Sequence, residues 1–155
     1  MSRFSLESYL QSNGVKFRIL RFSGHTITVD DAVKQLKVSR ERIIKSILFV
    51  DEKGLPVLAI VTGDRRVSED KLSKACGAET LRKARPRAVR NITGYEVGAL
   101  PPVGHKKMIR AFIDPKVMEQ KTVFGGGGNI NTLLEIDPRD IKRLTNAEVI
   151  DISTE

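Results

Sequence analysis

Lys45 lies inside an apolar run, Ile43-Ile44-Lys45-Ser46-Ile47-Leu48-Phe49-Val50, and a primary amine in such a setting is the first candidate for chemistry. If the run is a strand, side chains alternate. Lys45 then shares a face with Ile43, Ile47 and Phe49, while Ile44, Leu48 and Val50 take the other. Both faces need cover. An ammonium is seldom fully buried, because leaving water is costly unless it gains a partner. Lys45 therefore either snorkels from a strand end or reaches into a pocket that uses its charge, and this segment alone leaves both readings open. In a pocket it would anchor a phosphate or carbonyl, and with a lowered pKa it could act as a base.

The second candidate is Gly94-Tyr95-Glu96-Val97-Gly98-Ala99-Leu100-Pro101-Pro102-Val103-Gly104-His105. Two prolines in series fix φ, remove two amide donors and push Leu100 and Pro101 towards extended geometry. Gly98 and Gly104 bracket this stiff piece and let other groups approach the backbone closely. Such a loop suits presenting main-chain groups to a small ligand without ordering cost on binding; an ordinary surface turn is the alternative. Gly125 to Gly128 could form a nest of amides for an anion, but without the Lys-Ser/Thr ending of a phosphate loop we read a flexible hairpin tip. His25 follows Ser23-Gly24 in a turn, as a solvated histidine or a pocket-lining one. His25, His105 and Cys76 are the only histidines and cysteine, so a His/Cys-ligated zinc centre is not expected. Neither histidine has the local motif of a Ser-His-Asp system, and Cys76 reads as a small packed apolar residue.

The elements that must position these groups follow from periodicity and punctuation. Leu6, Tyr9 and Leu10 mark a helix stopped by Gly14, and Val15, Phe17 and Ile19 alternate as a half-buried strand. Thr28-Val29-Asp30-Asp31 reads as a capping box before Ala32, Val33 and Leu36. Asp51-Glu52-Lys53-Gly54 turns the Lys45 strand into a hairpin with Leu55 to Thr62. Ser68 caps a helix closed by Gly77, and Pro86 opens one closed by Gly94. Met108 to Ile113, Thr122 to Phe124, Ile130 to Ile136 and Val149-Ile150 read as strands. Asp137-Pro138-Arg139-Asp140 starts a helix buried by Ile141 and Leu144. The expectation is one α/β domain over residues 1–155 with a mixed sheet.

Composition sets the partner class. The chain has 155 residues, 40% hydrophobic, with a net charge of +8 and a single cysteine. No apolar stretch reaches the roughly 18 residues of a spanning helix. Met1-Ser2-Arg3-Phe4-Ser5 lacks the apolar segment of a secretory signal. A cytoplasmic location, with no membrane partner, is expected. The basic excess is clustered at Arg82, Lys83, Arg85, Arg87 and Arg90, and again at Lys106, Lys107 and Arg110. That favours a polyanion such as nucleic acid over a merely hydrated surface. Few aromatics and no tryptophan disfavour base stacking, so phosphate tracking along a duplex stem fits better.

The segments Ile44-Lys45-Ser46-Ile47-Leu48-Phe49, Gly98-Ala99-Leu100-Pro101-Pro102 with Gly104, and Leu134-Glu135-Ile136-Asp137-Pro138-Arg139-Asp140-Ile141 together resemble the YbaK/ProX-type aminoacyl-tRNA deacylases. The same domain is inserted in bacterial prolyl-tRNA synthetases. The resemblance runs in order from about Thr28 to Ile152. Pro101 stands where relatives often carry a small polar residue, and the four glycines replace a more mixed loop.

The resemblance implies a compact α/β domain with a curved, barrel-like mixed sheet flanked by helices. It also implies hydrolysis of mischarged tRNA, typically alanine or cysteine on proline tRNA, with no metal or organic cofactor. Lys45 matches the family's essential lysine and, with Gly98, is the catalytic candidate. Ala99, Leu100, Pro101, Pro102, Gly104, His25 and Asp140 are the substrate-binding candidates, although Asp140 also explains itself as a helix-start acid. Arg85, Arg87, Arg90, Lys106 and Lys107 are the candidates for holding the acceptor end, and prolyl-tRNA synthetase is a further candidate partner. A non-catalytic module that holds aminoacyl-tRNA is the alternative. A general duplex binder would lack a recognisable reading element.

Overall fold

Capping side chains begin most of the helices. In the computed structural model, which describes residues 5–155, Ser5 accepts the Ser8 amide and starts α1 (Leu6–Ser12). The stretch read for a leader falls mostly on residues 1–4, outside the described residues. β1 (Phe17–Arg21) follows. Thr28 and Asp31 form a reciprocal capping box at the head of α2 (Val29–Leu36). A 3-10 turn at Arg40–Arg42 leads into β2 (Ile44–Asp51). The Asp51 carboxylate accepts the Lys53 and Leu55 amides and turns the chain into β3 (Pro56–Thr62).

A tight turn and the short β4 (Arg66–Val67) precede α3 (Glu69–Cys76), capped by Ser68 and closed by Gly77 at φ 76°. β5 (Leu81–Lys83) runs into α4 (Pro86–Thr93), which has proline in its first turn and Gly94 as its left-handed stop. After the proline loop come β6 (Arg110–Ile113), α5 (Pro115–Met118), β7 (Val123–Gly126) and β8 (Thr132–Ile136). Asp137 caps α6 (Pro138–Thr145), and β9 (Glu148–Val149) and β10 (Ser153–Thr154) complete the described chain.

The strands form three sheets. A five-stranded mixed sheet has the order β5-β2-β3-β6-β9, antiparallel from β5 to β3 and parallel from β3 to β9. A three-stranded antiparallel sheet has the order β1-β8-β7, and β10 pairs with β4. The α/β class with mixed sheets and helices stands; among the described residues the strands divide among three sheets and no closed barrel is present. The reason is local. β5 pairs with only the Phe49–Asp51 end of β2, and β7 packs near the start of β2 but pairs there through no more than the isolated Ile43–Phe124 bridge, so the two larger sheets touch without joining into one.

Both faces of the β2–β3 hairpin are covered. Leu48, Leu58 and Ile60 pack with Leu10, Leu134, Ile136 and Ile141 on one side. Phe49, Val57 and Val61 pack with Leu72, Phe112 and Ile152 on the other. A smaller cluster of Ala32, Ile43, Phe124 and Leu133 sits under α2. Several expected boundaries shift. β6 begins at Arg110, leaving Met108 exposed, and β8 begins at Thr132, after a turn in which the Thr132 hydroxyl is bonded to Asn129. The glycine run is not a floppy tip throughout, since Gly125 and Gly126 belong to β7. Among the described residues no helix is long and apolar enough to cross a membrane.

Candidate functional site

Where the two larger sheets meet, a cavity of about 360 Å³ opens beneath the first turn of α2. Thr28, the cap of that helix, forms the roof together with Val29 and Ala32 of the helix itself, and Ile43 to Ile47 form one wall. Gly98, Leu100, Gly125, Gly126 and Leu133 form the opposite wall, with Ile27 and Val97 at the rim. Those two rim residues are 44% and 55% exposed, so the mouth is apolar although it opens to water.

The glycines let this wall close. A Cβ at Gly126 would run into the Leu100 carbonyl and stand 2.9 Å from the Ala99 carbonyl carbon; one at Gly125 would stand 3.2 Å from Pro102 Cδ. β7 therefore packs backbone-to-backbone against the proline loop, as only glycine permits. Gly98 has φ +90° and faces Ile27, whose Cγ2 would lie 2.6 Å from an added Cβ. The Ala99 carbonyl accepts the Gly128 amide at 2.9 Å, and His105 Nε2 lies 2.7 Å from the Pro101 carbonyl. Ala99, Leu100, Pro101, Pro102 and Gly104 are all buried.

Lys45 brings the charge. Its ammonium donates to the Arg65 main-chain carbonyl, which leaves two of its three protons for a ligand or water. Its pKa is held below the ordinary lysine value. Burial is the main cause and Lys83 the next, with Arg66 and Arg40 adding to the effect and Asp64 opposing it. Lys83 stands opposite Phe49 in the β2–β5 pairing, and cross-strand partners share a face, so Lys83 projects from the same side as Lys45. The basic segment thus begins beside the cavity and continues along α4, where Arg85, Arg87 and Arg90 are exposed. Lys106 and Lys107 are exposed too, and the Lys106 amide bonds the Thr93 carbonyl at the end of that helix.

Of the residues singled out in the sequence, Lys45, Gly98 and Leu100 line the cavity together, while Ala99, Pro101, Pro102 and Gly104 are buried in the same loop without being part of the lining. His25 does not line it: it is exposed and pairs with Asp31 through Nδ1 at 3.1 Å. Asp140 is on α6, paired with Arg143 at 3.2 Å, and is likewise not part of the lining. Sequence reasoning missed Ile27, Val97, Gly126 and Arg65. It also missed Ser46, whose enclosed hydroxyl beside the cavity has no hydrogen-bond partner among the described residues. Gly126 left a trace in the glycine run, and Val97 and Ser46 lay inside segments singled out for their neighbours; Ile27 and Arg65 left none.

The family model described as "Aminoacyl-tRNA editing domain" matches residues 24–144, a span that holds every lining residue of the cavity. A proline–tRNA ligase of Brachyspira hyodysenteriae is 33% identical over 122 residues, 79% of this chain and 21% of that protein, so the chain spans about a fifth of its length. The Enterococcus faecalis protein named "Putative Cys-tRNA(Pro)/Cys-tRNA(Cys) deacylase EbsC" is 25% identical over 128 residues, covering 83% of this chain and 78% of that one. A solved structure described as "a putative trans-editing enzyme for prolyl tRNA synthetase" superposes with a TM-score of 0.88 at 30% identity, over 97% of this chain and 95% of that one. With the lysine, the glycine-proline wall and the family match falling in one span, the chain belongs to the aminoacyl-tRNA editing domain family.

Proposed function

We propose that this chain is a trans-acting editing hydrolase that frees tRNA from a wrongly attached amino acid, alanine or cysteine on proline tRNA. The observation that carries the reading is one cavity shared by a partly desolvated ammonium and a glycine-proline wall. The name of the Enterococcus faecalis relative supports a cysteine substrate. Water attacks the ester carbonyl carbon, the bond from that carbon to the ribose oxygen breaks, and the proton released by the water ends on that oxygen. The products are a free amino acid and tRNA with its hydroxyl restored.

An ester this reactive needs placement and donors for the developing oxyanion. Among the described residues the Gly98 amide has no acceptor, so it is available as such a donor. Lys45 acts as an electrostatic anchor for the terminal phosphate or the carbonyl. A bound phosphate would raise its pKa, against the effect of burial, and keep it charged. The wall from Ala99 to Pro102, with Gly104 behind it, excludes the correct prolyl group by shape, which is the role of a second sieve where one methylene discriminates by only ~1–3 kcal/mol. Arg85, Arg87, Arg90, Lys106 and Lys107 hold the acceptor end. His25 and Asp140 would act from outside the lining. Residues 1–155 work as one cytoplasmic editing-type domain, with prolyl-tRNA synthetase as a partner.

The test is incubation with alanyl-, cysteinyl-, seryl- and prolyl-charged proline tRNA, scoring ester loss for each. Loss of alanine or cysteine but not proline is expected, and Lys45→Ala should slow it about a hundred- to a thousandfold. If no ester is lost above the uncatalysed rate, the chain is a binding module instead; if Lys45→Ala keeps the full rate, the catalytic assignment of Lys45 falls.

A further inference from the structure

We infer that Ser153, on β10, is a positioning residue for Lys45 and acts through Arg65. The inference rests on the reading that Lys45 meets the substrate. The Arg65 carbonyl that seats the ammonium belongs to the turn between β3 and β4, and that turn is held at several points. The Arg65 amide bonds the Thr62 carbonyl at 3.1 Å, and the Gly63 amide bonds the Ile43 carbonyl at 2.7 Å. Gly63 has no room for a side chain, since an added Cβ would lie 2.8 Å from the Arg40 carbonyl. The Arg65 end of the turn is also held from outside, by the pairing of Arg66 with Thr154 and by Arg65 Nε, which donates to Ser153 Oγ at 2.9 Å.

Ser153 is itself a fixed point. It is 1% exposed, pairs in register with Val67, and its carbonyl accepts Lys71 Nζ at 2.7 Å. The neighbouring Ile152 carbonyl accepts the Ser68 amide at 2.8 Å, and the Ile152 amide donates to the buried Asp114 carboxylate at 3.2 Å. A hydroxyl held this firmly, gripping a guanidinium one residue's length from the carbonyl that seats the ammonium, sets where the charge stands. Were it only a staple for β10, its loss would lower stability and leave the lysine unchanged.

The experiment reads Lys45 in the free protein. Pulse labelling with acetic anhydride across pH, followed by peptide mass spectrometry, gives the midpoint at which Lys45 becomes reactive. In Ser153→Ala, a less confined and better hydrated ammonium should titrate closer to an ordinary lysine. kcat for a mischarged tRNA should fall about ten- to a hundredfold with KM little changed, as expected for a misplaced group. Ser153→Thr, which keeps the hydroxyl, should restore both. Arg65→Met retains the carbonyl but removes the guanidinium, and should reproduce the Ser153→Ala profile, so the result does not hang on one variant folding. Profiles of Ser153→Ala and Arg65→Met that overlay the wild type overturn the inference. Because labelling needs no turnover, a wild-type chain that hydrolyses nothing would end the editing reading while this measurement still decides the positioning role.

Discussion

Burial holds the His105 imidazole below its ordinary pKa, while its contact with the Pro101 carbonyl acts in the opposite direction. The ring is therefore neutral near pH 7, with Nε2 carrying the proton that it donates. In the unfolded chain the same group takes up a proton near 6.5. The folded state resists until lower pH, so stability from this group is present above 6.5 and is lost as pH falls through and below it. The melting temperature of the wild type should thus drop more steeply between roughly pH 7.5 and 5.5 than that of His105→Gln, which cannot charge. Thermal melts of the two proteins in matched buffers check this, and parallel curves would refute it. Lys45 obeys the same physics, and under the proposed function its depressed value has a chemical use. A group that gives up part of its hydration when the cavity is empty has less to lose when an anionic or carbonyl ligand arrives.

β7 shows what an element contributes beyond its hydrogen bonds. Gly126→Ala keeps the strand pairing with β8 but forces a methyl group against the Leu100 carbonyl, so the proline loop must move. Overpacking of this kind costs about 1–3 kcal/mol. Deacylation should fall by more than that stability loss explains, because the displaced wall carries Gly98; denaturant melts and initial rates on the same preparation separate the two. This strand also marks the limit of what was legible in the sequence. The caps at Thr28, Ser68 and Asp137 and the turn at Asp51 to Gly54 act over three or four residues, and the structure has each where the residues place it. Gly125 and Gly126 look like a hairpin tip because the reason they are glycine is Leu100 and Pro102, which lie far away in sequence. β4, β5 and β10 have two or three residues each and show no periodicity to detect. For the site, Lys45 and the proline loop could be recognised by type, whereas Arg65 contributes only its carbonyl, an atom every residue carries.

At the scale of the molecule, the +8 charge is unevenly distributed. From Thr80 to Tyr95 there is no acid at all, and this stretch carries Arg82, Lys83, Arg85, Arg87 and Arg90. Only Arg90 in it has an ion-pair partner among the described residues, Glu96 at 3.6 Å. The uncompensated strip leads from the cavity along α4, so Arg85→Glu combined with Arg87→Glu should weaken tRNA binding and flatten its salt dependence by about one unit of slope per lost phosphate contact. Hydrolysis of an aminoacyl-adenosine too short to reach the strip should be unchanged; binding titrations over a salt series and rates on the short ester test the two halves. The pairing of β1 with β8 sets Phe17 against Ile136, and the cavity draws its lining from Thr26 to Leu133. Contacts this remote along the chain form late, after local hairpins. During synthesis the β2–β3 hairpin can leave the ribosome already carrying its lysine, yet its facing wall has not been translated. A half-made chain therefore holds the lysine without the cavity that encloses it.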